Sequence, residues 1–106
     1  MANWYKNLYV GKTAKGREKN IKYQVNKGGS LPEFYLITYA ANEKDQLDII
    51  ESKYLVQKQI QITLPEIIGV ALGYQEAIEI IQKITIEAFE NTGNCDLRYF
   101  LQSNIL

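Results

Sequence analysis

Apolar positions fall in short runs, and their spacing predicts alternating strands and helices. Residues 7–11 read as a strand, Leu8-Tyr9-Val10 closed by Gly11. Residues 34–41, aromatic and β-branched with apolar groups at nearly every position, read as a strand covered on both faces. Residues 66–72 form a third strand run behind Pro65. Ala77, Ile78, Ile81, Ile84, Thr85, Ala88 and Phe89 recur at helical spacing, which predicts a long amphipathic helix over 74–92 with Gly93 as its stop. Asp96 stands where a short terminal helix would begin.

Three segments are less determinate. Residues 13–27 favour a helix, with Thr13 as its cap, Ile21 and Val25 four apart, and Gly28-Gly29 as its stop. Ile21 to Val25 also alternate with period two, which would suit a hairpin strand. Residues 47–57 suggest a short helix with Ser52 as a cap, and residues 59–65 a connector whose Ile60, Ile62 and Leu64 could form an edge strand. The resulting expectation is an α/β domain of two or three layers, built on a short, mostly parallel three-stranded sheet. Such a sheet has open edges, which makes a homo-oligomer plausible.

Length adds that the 106 residues suit a single domain. No apolar run is long enough for a membrane span, no secretory leader is visible, and Cys95 is the one cysteine. A buried, inert thiol in a reducing, cytoplasmic compartment is the expectation. The chain has no histidine, which removes Ser-His and Cys-His nucleophile pairs and the imidazole ligands of most zinc and non-haem iron sites. No cofactor, metal or catalytic residue is expected on these grounds.

Net charge is zero but unevenly spread. Residues 1–30 hold seven basic side chains against Glu18 alone, while the rest of the chain holds five basic and eleven acidic. Lys15, Arg17, Lys19 and Lys22, near Trp4, Tyr5, Tyr9 and Tyr23, form a candidate nucleic-acid surface. A solvated basic face explains them more simply, and no nucleic-acid module is recognisable.

In a parallel α/β sheet, ligands sit at the carboxyl ends of the strands. That rule gathers Lys12, Thr13, Asn42 and Tyr74 as a candidate small-molecule or anion site. Gly11-Lys12-Thr13 echoes the end of a P-loop, but Lys6 stands where its first glycine belongs, so triphosphate hydrolysis is rejected. Gly69 and Gly73 lack dinucleotide-fingerprint spacing, and Gly69 instead suggests a helix lying close to the sheet. Asp45, Asp48 and Glu51, three apart, would share a helix face, and a solvated surface is their simplest reading.

Taken together, Leu36 to Asn42, Leu47 to Ile50, Gly69 to Ala77 and Thr92-Gly93-Asn94 make the chain resemble a group of small uncharacterised bacterial α/β proteins. The likeness covers most of the chain. It implies a bacterial cytoplasmic domain and brings no activity, ligand or site residue. The function expected is a non-enzymatic interaction domain open to self-association, with the anion site and the nucleic-acid surface as alternatives.

Overall fold

Two strands with no polar side chain exposed must lie inside a sheet, and the computed structural model places them there. It describes residues 2–27, 33–42 and 44–103. The elements are β1 (Trp4–Val10), α1 (Glu18–Lys27), β2 (Tyr35–Tyr39), β3 (Leu47–Glu51), a 3-10 turn (Ser52–Val56), α2 (Lys58–Ile62), β4 (Ile67–Ala71), α3 (Tyr74–Thr92) and α4 (Leu97–Ser103). The sheet order is β1-β4-β2-β3. β4 is buried along its whole length, and β2 everywhere but Tyr35.

The expected three-stranded, mostly parallel sheet is therefore wrong. The sheet has four strands and is mixed: β1 runs parallel to β4, but β2 runs antiparallel to both β4 and β3. The missing strand is β3, in the segment expected to be helical. Leu47, Ile49 and Ile50 suit either period, and pairing with β2 decides the matter. Ser52 caps no helix by its side chain; its hydroxyl accepts the Phe34 N–H at 3.1 Å and ties the end of β3 to the start of β2. Residues 58–62 form the short helix α2 rather than an edge strand.

The other helices follow their sequence signals. α1 is a helix rather than a hairpin strand, burying Ile21 and Val25, though it begins at Glu18 after a turn over 12–16. Its expected stop at Gly28-Gly29 lies outside the described residues. α3 spans the expected residues, and Gly93 ends it at φ 79°, its N–H donating to the Phe89 carbonyl. The Asp96 carboxylate accepts the Tyr99 N–H at 3.1 Å and caps α4.

Strand alternation sorts the core into two clusters, one on each sheet face, so the domain has three layers. On one face Tyr5, Ile37, Tyr39 and Ile68 pack under Ala77, Ile80, Ile84 and Ala88 of α3 and Leu97, Phe100 and Leu101 of α4. On the other, Leu36, Ile67 and Val70 pack with Ile21 and Val25 of α1 and with Leu55. The Tyr5 hydroxyl donates to the Leu101 carbonyl at 2.8 Å, fastening the end of α4 to β1.

Gly69 lies in β4 between its two neighbours. A Cβ there would stand 3.2 Å from the Tyr9 carbonyl oxygen and 3.3 Å from the Ile37 Cδ1. The close approach is thus strand to strand, not the helix-to-sheet approach expected. Because backbone cannot move aside as a side-chain tip can, Gly69→Ala should cost about 1–3 kcal/mol, read as a lower urea midpoint at unchanged slope.

Candidate functional site

The antiparallel β2 divides the expected rim. β1 and β4 are parallel, so the loops after them, carrying Lys12, Thr13 and Tyr74, emerge at one end of the sheet. The chain leaves β2 at the opposite end, and Asn42 goes with it. There the Asn42 side chain accepts the Lys44 and Asp45 N–H groups at 2.9 and 2.8 Å, a local turn. It borders a polar depression of about 440 Å³ shared with Asp45, Asp96 and Arg98, whose guanidinium lies 4.1 Å from the Tyr39 ring centre. Tyr74, at the other end, meets the Tyr35 ring edge-on at 6.0 Å.

What remains of the expected anion site is occupied from within. Glu76 sits in the first turn of α3, and its carboxylate accepts the Thr13 hydroxyl at 2.6 Å and the Thr13 N–H at 3.3 Å. Thr13 is therefore not a helix cap. Gly11 admits this carboxylate: a Cβ on Gly11 would coincide with Glu76 Oε1. Lys12, Lys15, Glu79 and Lys83 surround the contact in a depression of about 200 Å³, smaller than ordinary ligand pockets. An internal carboxylate here makes the contacts a bound anion would make. Sequence reading missed Glu76 because it lies 63 residues from Thr13 and looks like any exposed helix charge.

Glu87 repeats the pattern one flank lower on α3, accepting the Tyr9 hydroxyl at 2.6 Å. Together Glu76 and Glu87 turn the charged flank of α3, with Glu79, Lys83 and Glu90, toward β1. At 100° per residue, the opposite flank carries Ile78, Ile81, Thr85 and Phe89 and no charge, while Ile86 falls on the solvent side beside Glu79 and Glu90. That flank faces β2 and β3. Phe89 and Ile86 are 59% and 58% exposed, although Phe89 was expected in the buried stripe. Ile81, Tyr35, Leu47 and Ile49 all pack against the buried cluster on this face, and Leu47 and Ile49 of β3 stay partly exposed.

The basic residues remain a dispersed surface. Lys15, Arg17, Lys19 and Lys22 are all exposed around α1, with Lys22 5.2 Å from the centre of the Trp4 ring. Tyr23 is exposed beside them, while Tyr5 is fully buried, so the aromatics expected among the lysines do not share one face. Asp45, Asp48 and Glu51 do not share a helix face either: Asp48 and Glu51 lie in β3, one on each side of the sheet. Among the described residues no acidic or sulfur cluster could hold a metal, and no helix is long and apolar enough to cross a membrane. Cys95, expected to be buried, is exposed.

The Gly11–Glu76 fit predicts coupling. Gly11→Ala and Glu76→Ala should each cost about 1 kcal/mol, and the double variant little more than either alone, because both remove the same contacts. Chemical denaturation of the four proteins measures this; additive costs would show that Gly11 and Glu76 act separately. A second prediction concerns pH. Burial, with the Glu87 hydrogen bond and charge, pushes the Tyr9 phenol well above its ordinary value of 10.0. The hydrogen bond to Glu33, with smaller desolvation and charge effects, pushes Tyr35 up to about 12. Both favour the protonated form in the folded state, so their stabilisation is complete below about pH 10 and is lost as pH rises through the folded values. Urea midpoints at rising alkaline pH should fall, and less steeply in Tyr9→Phe; equal slopes would contradict the Tyr9 assignment.

Comparisons with protein-family models, with curated proteins and with solved structures find no match for this chain.

Proposed function

We propose that this chain is a non-enzymatic interaction domain of the cytoplasm that associates with copies of itself. The observation that carries this reading is the coincidence of two unsatisfied features on one side of the molecule. The uncharged flank of α3, with Phe89 exposed, lies on the same side as β3, the outer strand of the sheet. An apolar surface beside an open strand edge is the arrangement that protein–protein contacts use. The rim that would serve a small anion is filled by Glu76, which weighs against the ligand-binding alternative. A free, exposed Cys95 suits a reducing compartment.

Light scattering across a hundredfold range of concentration tests the reading. The mean mass should rise from that of one chain toward a fixed multiple, and Phe89→Asp should shift the transition at least tenfold upward in concentration, ~1.4 kcal/mol. A single-chain mass throughout would contradict it.

A further inference from the structure

The outer side of β3 has a definite hydrogen-bonding pattern, and the flanking contacts reveal it. Ser52 donates its N–H to the Phe34 carbonyl at 2.9 Å, and Ala40 donates its N–H to the Gln46 carbonyl at 3.1 Å. These bonds bracket the β2–β3 ladder, whose register runs unbroken from Tyr35 opposite Glu51 to Tyr39 opposite Leu47. In an antiparallel ladder, bonded pairs alternate with unbonded ones. Asp48 and Ile50 therefore direct their main-chain groups toward β2. Leu47, Ile49 and Glu51 direct theirs outward, where no strand of the described residues pairs with them.

The two edges of the sheet differ. β1 carries Lys6 and shifts register against β4 between Trp4 and Tyr9, devices that blunt an edge. β3 contains no lysine, proline or bulge, and its charges are the carboxylates Asp48 and Glu51, one on each side of the sheet. Burying its outward groups requires another strand, and β3 is complementary to itself in one register above others. A continuous sheet through a two-fold axis must keep facing residues on the same sheet face, so the axis passes through a residue rather than between two. Centring on Asp48 would set that carboxylate against its own copy, a like-charge pair. Centring on Ile50 would set Asp48 against Ser52 and Leu47 against Lys53, carrying the ladder past the end of the strand. Centring on Ile49 sets Ile49 against Ile49, Asp48 against Ile50, and Leu47 against Glu51. Each outward-pointing residue then gains both of its main-chain bonds. Beyond the ladder Lys53, in the turn after β3, pairs with Glu51 of its own chain at 3.4 Å. On the α3 face this register joins Leu47 and Ile49 of both copies, with Glu51 of each copy beside Leu47 of the other at the ends of the seam.

Resting on the self-association reading above, we infer that the occupant of this edge is a second copy of the chain, joined β3 to β3 antiparallel about Ile49 into one eight-stranded sheet. The arrangement is closed, because the same patch is used by both copies.

Site-specific cross-linking tests the geometry. The background is Cys95→Ser, which removes the exposed thiol. Opposed residues of a bonded pair lie about 5.5 Å apart at Cα, within disulfide range. Ile49→Cys should oxidise quantitatively to a covalent dimer at micromolar concentration, while Asp48→Cys, facing Ile50 of the other copy, should form at least tenfold less. Ile49→Pro, checked for fold by circular dichroism, should raise the dissociation constant at least tenfold; because that variant can fail to fold, the cross-linking pair stands independently. An associating protein in which Ile49→Cys and Asp48→Cys cross-link equally, or neither does, overturns the β3 geometry and leaves self-association standing. A chain that scatters as a single copy at every concentration overturns both.

Discussion

The antiparallel seating of β2 against β4 is the constraint on which the rest of the molecule depends. Both strands are almost wholly buried, so their pairing decides where every connecting loop emerges. With β2 reversed, Lys12 and Tyr74 lie at one end of the sheet and Asn42 at the other. No common rim exists for a small ligand to bridge. The reversal also lets the chain return directly after a short turn, and residues 47–51 take the outer position as a fourth strand. One pairing thus removes the expected pocket and creates the open edge.

α3 translates that sheet into a surface with two characters. Its carboxylates are drawn toward β1, where Glu76 meets Thr13 and Glu87 meets Tyr9. The buried stripe Ala77, Ile80, Ile84 and Ala88 fixes the rotation of the helix about its axis, and those contacts sit beside it. The flank left facing β3 is uncharged as a consequence, because the charged residues of α3 all lie on the other side. Gly11 belongs to the same mechanism, since any larger residue there would displace the Glu76 carboxylate. The buried stripe thereby places the polar contacts on one side of the helix and the uncharged flank on the other.

Much of the helix content was legible in the residues. α3 and α4 declare themselves through apolar spacing and through Gly93 and Asp96 at their ends, and α1 through Ile21 and Val25. The strands at β1, β2 and β4 were legible as apolar runs. Their relative direction was not, because a buried strand has the same composition whether its neighbours run parallel or antiparallel. β3 was misread because five residues with apolar groups at 47, 49 and 50 satisfy both periods, and only pairing with β2 selects one. For the site, the parallel β1–β4 pair brings Lys12, Thr13 and Tyr74 out at one end of the sheet, and Asn42 was lost with the direction of β2. The contacts of Glu76 and the exposure of Phe89 depend on the rotation of α3, which no local pattern records.

Amide hydrogen exchange along residues 47–51 tests the central claim most directly, since it reads which way each N–H points. In dilute protein, Asp48 and Ile50 should exchange slowly and Leu47, Ile49 and Glu51 rapidly, and the rapid set should slow as concentration rises. Uniform protection from residue 47 through 57, as in a helix, would contradict the strand and the edge together.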